Sequence, residues 1–89
     1  MSKKYSPYRL ETEVITSDGI IDAKNCNEII FINKGTAQAE VDGFPLANNE
    51  FITDAGNEQE INQTKYRVVF NVPLAGTKFL WVRRKLYID

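Results

Sequence analysis

Histidine is absent from this 89-residue sequence, and cysteine, methionine and tryptophan each occur once. Without histidine no Ser-His or Cys-His catalytic dyad can form, and the metal centres of double-stranded β-helix enzymes lose their usual imidazole ligands. The single cysteine, Cys26, excludes an internal disulfide and a disulfide-stapled scaffold. The glycines are scattered and form no phosphate-binding loop. The sequence therefore predicts a protein that is not an enzyme and that has no catalytic residue, metal site or cofactor.

Long apolar segments are also missing. No run of 18 apolar residues could span a membrane, and Lys3 and Lys4 are not followed by the apolar segment of a secretory signal. We expect no membrane partner and no secretion through a signal peptide. The composition, 43% hydrophobic and 26% charged, is typical of a globular protein. The length predicts one domain, residues 9–89, preceded by an extended arm, residues 1–8, that contains Pro7.

The net charge of −1 conceals two blocks of opposite sign. Residues 35–64 carry only acidic charges and residues 65–88 only basic ones: Glu40, Asp42, Glu50, Asp54, Glu58 and Glu60 against Lys65, Arg67, Lys78, Arg83, Arg84 and Lys85. The acidic spacing does not match the alternating ligands and glycine of a calcium loop, so a solvated acidic rim is predicted. The opposed blocks predict either ion pairs between neighbouring strands or a contact between subunits.

Short segments rich in alternating and β-branched residues recur about every ten residues, and turn residues separate them. The predicted strands are residues 9–16, 20–21, 28–33, 36–42, 50–53, 64–72 and 77–88, with Phe44 to Leu46 as an edge strand or a loop because of Pro45. Ser17 to Gly19 predicts a hairpin, and Asp42 with Gly43 predicts a turn. Residues 28–33, apolar on both faces, predict a fully covered central strand. The fold class is all-β: a small antiparallel β-sandwich, jelly-roll-like, of about seven strands. A small β-barrel is the alternative that periodicity does not separate from it.

The last predicted strand, residues 77–88, is apolar on both of its faces. Side-chain alternation places Leu80, Val82, Leu86 and Ile88 on one face, which is expected to meet the face of Tyr66, Val68 and Phe70 in the core. Aromatic residues occupy the other face, so this chain or another copy must cover it. Two tyrosines in the arm suggest docking on a surface. The candidate interface residues are Tyr5, Tyr8, Phe79, Trp81, Arg83, Lys85 and Tyr87.

Aromatic residues interleaved with basic ones, as in residues 81–87, also occur where strands stack bases and neutralise phosphates. Here the chain is net acidic, the basic residues alternate between two faces, and no ribonucleoprotein-type aromatic motif is present. These features argue against nucleic acid as the partner.

The second half of the sequence combines Gly43, Pro45 and Leu46 with a strand marked by Thr64, Tyr66, Val68 and Phe70, followed by the basic and aromatic residues from Trp81 to Tyr87. This order of features resembles small β-structured virion proteins of tailed bacteriophages. It departs from their pattern at Asn48 and Asn49, where such modules commonly have a glycine. The resemblance implies a structural, oligomer-forming part of a capsid decoration, head fibre or tail, and it carries no active-site residues.

We therefore expect a non-enzymatic structural or assembly protein located in a virion that is assembled in the host cytoplasm. Its partners would be copies of itself, as a homo-oligomer, or a larger capsid or tail protein on which it docks. The alternative is a small carbohydrate- or ligand-binding β module that uses Trp81, Tyr87 or exposed asparagine side chains in a shallow groove.

Overall fold

The computed structural model describes residues 7–57, 59–71 and 76–88 of the chain. These residues form eight β-strands: β1 (Tyr8–Ile15), β2 (Gly19–Asp22), β3 (Glu28–Asn33), β4 (Gln38–Val41), β5 (Phe44–Leu46), β6 (Phe51–Ala55), β7 (Lys65–Asn71) and β8 (Leu80–Tyr87). Within the described ranges no helix is long and apolar enough to cross a membrane.

The strands form two antiparallel sheets of four strands each. The first sheet has the order β1-β8-β3-β6 and the second the order β2-β7-β4-β5. The pairs β1–β8, β2–β7, β3–β6 and β4–β5 are nested, as if one long hairpin of eight strands had been rolled up. This is the topology of a jelly roll, so the predicted β-sandwich is confirmed. The strand that exceeds the predicted seven is β5, at the segment predicted to be an edge strand or a loop. Pro45 is tolerated there because β5 lies at a sheet edge.

Two of the predicted turns have different outcomes. Asp42 and Gly43 have φ values of 51° and 82°, which suit the two-residue hairpin that joins β4 to β5. The hairpin predicted at Ser17 to Gly19 is wrong, because β1 pairs with β8 and β2 with β7 in the opposite sheet. Asp18 instead fixes this crossing, since its Oδ1 accepts a hydrogen bond of 2.9 Å from the Phe70 backbone N–H.

The core lies between the two sheets and is formed by alternate residues of each strand. Tyr66, Val68 and Phe70 of β7 are buried, as predicted. Leu80, Val82 and Leu86 of β8 are buried against the same core, whereas Ile88, which follows the end of β8, is 45% exposed. Ala37, Ala39 and Val41 are also buried and their small volume leaves room for larger side chains. Each large aliphatic or aromatic side chain buried in this way contributes about 1.5–3 kcal/mol.

Strand β3 occupies the predicted central position, between β8 and β6. Its inward residues Ile29 and Phe31 are fully buried, and the Phe31 ring packs edge-on against Tyr66 with centroids 4.9 Å apart. Ile30 and Ile32 on its other side are only half-buried. The prediction that both faces of this strand are covered is therefore wrong for the outward face.

Asn33, at the end of β3, joins the two sheets. Its buried side-chain amide donates hydrogen bonds to the carbonyls of Ala37 (2.9 Å) and Leu46 (2.8 Å), and its Oδ1 accepts one from the Gly35 N–H (3.0 Å). Gly35 has no space for a side chain, because a Cβ there would lie 2.1 Å from the Thr77 carbonyl oxygen. The crossing from β3 to β4 therefore depends on these two residue types.

Candidate functional site

The candidate site is the outer face of the first sheet, on which Val14, Trp81 and Phe51 are exposed. The strand register places its side chains in rows, three of which run across all four strands. From one end to the other, the rows are Val14, Trp81, Ile32 and Phe51; then Thr12, Arg83, Ile30 and Thr53; then Leu10, Lys85, Glu28 and Ala55; then Tyr8 and Tyr87.

The first of these rows, here called the apolar row, crosses the sheet from β1 to β6. Val14 is 45% exposed, Trp81 37% and Phe51 63%, while Ile32 is half-buried. With side chains of this size, the apolar row and its neighbours expose about 300–400 Å² of contiguous apolar surface. The largest apolar patch of a soluble monomer commonly measures about 300–600 Å² and is often functional, so the apolar row is the candidate interaction surface.

Trp81 is the centre of the apolar row. The Phe79 ring lies 6.5 Å from it, centroid to centroid, and the Lys34 ammonium lies 5.6 Å from the Trp81 ring centroid. A cation at this distance over an indole face is weakly attracted by the ring quadrupole, so Lys34 shields part of the ring without burying it.

The third row, here called the charged row, contains Lys85 and Glu28 side by side on β8 and β3. The Lys85 ammonium lies over the Tyr8 ring, 4.5 Å from its centroid. Arg83 is exposed in the row between the charged row and the apolar row. The face therefore combines an apolar end with an end that carries both signs of charge.

The structure brings six of the seven predicted interface residues together around the outward face of β8: Tyr8, Phe79, Trp81, Arg83, Lys85 and Tyr87. Tyr8 begins β1 and pairs with Tyr87. Tyr5 and the rest of the predicted arm up to residue 6 lie outside the described residues. The Tyr87 hydroxyl also accepts a hydrogen bond of 2.7 Å from the Gln59 backbone N–H.

Val14, Ile32 and Phe51 complete the apolar row. They were not predicted as interface residues from the sequence. Their hydrophobicity was visible in the sequence, but only the sheet order shows that they flank Trp81. Alternation reports that a residue shares a face with its second neighbours on the same strand, and it carries no information about the adjacent strands.

Arg84 was also missed. It lies on the inward face of β8 between Val82 and Leu86 and is 1% exposed. Its Nε and Nη2 donate hydrogen bonds to the Asp22 carbonyl at 3.1 and 2.9 Å, which links β8 to the second sheet. Its Nη1 lies 3.2 Å from a Glu11 carboxylate oxygen and forms a close ion pair of 2.8 Å with Glu13. Arg84 is thus a structural residue on the core side of β8.

The ion pairs of the described residues do not join the two charge blocks. They connect Arg9, Lys24 and Arg84 to Glu11, and Arg84 to Glu13, all of them acids of β1. Among the described residues, the predicted ion pairs between the acidic and basic blocks are not observed, and the buried Arg84 of the basic block is neutralised by β1 instead. A role of the blocks in contacts between subunits stays a prediction.

A polar depression of about 400 Å³ lies beside β6 and is lined in part by Asn27, Asp54, Glu60 and Asn62. Its polar groups bind one another. The Tyr66 hydroxyl donates to Asp54 at 2.7 Å and accepts a hydrogen bond from Asn62 at 2.6 Å. Burial and the Asp54 contact raise the pKa of Tyr66 to about 12. These hydrogen bonds hold the segment that follows β6 in place. The polar groups that line the depression therefore have a structural role.

Cys26 is fully buried and pairs as an isolated bridge with Asn62. Burial raises the pKa of its thiol, which keeps it protonated and unreactive at neutral pH. Among the residues that the structure describes, no three cysteine or acidic side chains come together as metal ligands.

Comparison with protein-family models, with curated proteins and with solved structures finds no match to this chain.

Proposed function

We propose that this protein is a non-enzymatic structural subunit of a virion that works by binding protein through the outer face of its first sheet. The observation that carries the proposal is the apolar row, in which Trp81 and Phe51 remain exposed on a sheet whose other face forms the core. Exposing these rings to water is unfavourable, so a partner that covers them gains the free energy of their burial.

Protein is the partner that the chemistry of this face fits best. Tryptophan, tyrosine and arginine are enriched where proteins contact each other, and Trp81, Tyr8, Tyr87 and Arg83 all belong to this face. The rim formed by the charged row would set the orientation of the partner. The jelly-roll topology adds support, since viral capsid proteins are among the proteins built on it, and the order of sequence features points to the same class.

The proposal is tested in particles produced from the genome that encodes this chain. Mass spectrometry of purified particles should detect the protein at a fixed number of copies. A Trp81→Lys variant should fold and be lost from the particles, whereas Lys65→Glu, a change on the exposed face of β7, should be retained. Particles that contain none of the wild-type protein would exclude a virion function. Retention of Trp81→Lys would exclude this face as the contact.

A carbohydrate-binding module is the second candidate, and the exposed Trp81 ring favours it because sugars stack on such rings. Glycan-array screening with tryptophan fluorescence titrations separates the two candidates. Binding of a sugar with a change in Trp81 emission would support the second candidate, and silence in both assays would exclude it.

A further inference from the structure

We infer that the partner of the outer face is a second copy of this chain, packed face to face about a twofold axis that runs parallel to the strands between β8 and β3. This inference rests on the proposed function and specifies its partner. It follows from where charged and apolar residues lie on the face.

Rotation about this axis places β8 of one copy opposite β3 of the other, and β1 opposite β6. Each row then lies opposite the same row of the other copy. The apolar row then packs on the apolar row, with Trp81 against Ile32 of the other copy and Val14 against Phe51. In the charged row, Lys85 of each copy meets Glu28 of the other. The apolar row is covered by itself and opposite charges meet twice, while in the row between them Arg83 lies opposite Ile30 of the other copy.

A twofold axis perpendicular to the strands, over the row of Arg83 and Ile30, fits worse. It reverses the order of the rows, so Trp81 would face Lys85 and Ile32 would face Glu28 of the other copy. That arrangement buries the Glu28 carboxylate against an aliphatic side chain with no cation opposite and sets Arg83 against Arg83 of the other copy, so neither charge finds an opposite partner. The single acidic residue in the rows of this face therefore selects the parallel axis.

The area of the face indicates how strong this association is. Four strands spaced about 4.8 Å apart and rows separated by about 6.7 Å give a footprint of about 400–500 Å² for each copy. This lies below the roughly 800 Å² per partner of a standard stable interface. We therefore expect a dimer that dissociates in the micromolar range and that becomes fixed where many copies are held close together.

The first experiment measures mass by light scattering and sedimentation between about 5 and 500 µM. The mass should rise from 10.2 kDa toward twice that value. Emission of Trp81, the only tryptophan, should shift to shorter wavelength over the same concentrations. A single-chain mass over the whole range would overturn the inference.

The second experiment tests the charged row with Glu28→Lys and Lys85→Glu, prepared separately. Each variant places like charges opposite each other in its own dimer and should associate at least about tenfold more weakly than the wild type. A 1:1 mixture restores opposite charges at both contacts and should associate more tightly than either variant alone. Mixing changes nothing inside a chain, so this recovery reports only on contacts between chains.

Lys65→Glu, on the other sheet, is the control and should leave association unchanged. A mixture that associates no better than its components would overturn the proposed axis. If wild-type protein remains monomeric in solution and is nevertheless found in particles, the inference about a second copy fails while the proposed function stands. If wild-type protein dimerises in solution and is absent from particles, the inference about a second copy stands and the proposed function fails.

Discussion

The burial of Arg84 allows a quantitative prediction about stability. Arg84→Met keeps the length of the side chain and its apolar stem but removes the guanidinium. The Asp22 carbonyl then loses the donors at 3.1 and 2.9 Å. Glu11 loses the hydrogen bond that Arg84 Nη1 donates at 3.2 Å, and the buried Glu13 carboxylate oxygen, which has no hydrogen bond among the described residues, loses the cation that lies 2.8 Å from it. Each such loss costs about 1–3 kcal/mol, so we expect a loss of about 4 kcal/mol in the free energy of unfolding.

This loss is large relative to the stability expected for the whole domain. At about 0.05–0.15 kcal/mol per residue, a chain of 89 residues has a free energy of unfolding of about 5–13 kcal/mol. Urea unfolding followed by circular dichroism and by Trp81 fluorescence measures the change. With a slope of about 1–2 kcal/mol per molar, the midpoint should fall by about 2–4 M.

Arg83→Met is the matched control, because Arg83 is the neighbouring residue on the same strand and its side chain is exposed. This substitution should change stability by less than about 0.5 kcal/mol. If both variants lose the same small free energy of unfolding, the buried contacts of Arg84 with Asp22 and Glu13 contribute nothing to stability. That result would refute the reasoning.

Three further predictions concern single residues. Asn33→Leu should lower the free energy of unfolding by about 3 kcal/mol in urea unfolding, because two carbonyls and an N–H lose their partner; an unchanged midpoint would contradict this. Gly35→Ala should lower the melting temperature, since its Cβ would meet the Thr77 carbonyl, whereas Gly19→Ala, with open space around it, should not. With Tyr66 ionising near pH 12 when folded and near pH 10 when unfolded, its stabilising contribution is complete below pH 10 and lost between pH 10 and 12. Tyr66→Phe should abolish the latest-ionising tyrosine in an absorbance titration, and an unaltered titration would contradict the assignment.

The parts of the fold that depend on local alternation were predictable. The inward sets of β4 and β7 follow from a period of two, since successive side chains of a strand point to opposite faces. The turn at Asp42 and Gly43 was predictable because few residue pairs adopt positive φ values readily. The hairpin expected at Ser17 to Gly19 failed because the same turn residues also serve a crossing between sheets, and local chemistry does not distinguish the two.

The candidate surface was predictable on β8 and, at Tyr8, at the start of β1. Alternation separated Trp81, Arg83 and Lys85 from the core side of β8, but it also placed Arg84 among buried residues without a signal that two distant glutamates would neutralise it. Glu11 and Glu13 are more than 70 residues away in the sequence, and their contact with Arg84 depends on β1 pairing with β8. Pairings between distant segments depend on the summed packing of the whole sheet.

The sequence by itself determined that this protein is built of strands and which residues of each strand share a face. It also determined which kinds of site are excluded, because the residues that histidine-dependent dyads and internal disulfides require are missing. The tertiary structure decided that β8 lies between β1 and β3, and therefore that Trp81 is flanked by Val14 and Ile32 and that Lys85 lies beside Glu28. The physical reason is that the side-chain period of a strand is fixed by its own backbone, whereas its neighbours are fixed by burial across the entire sandwich.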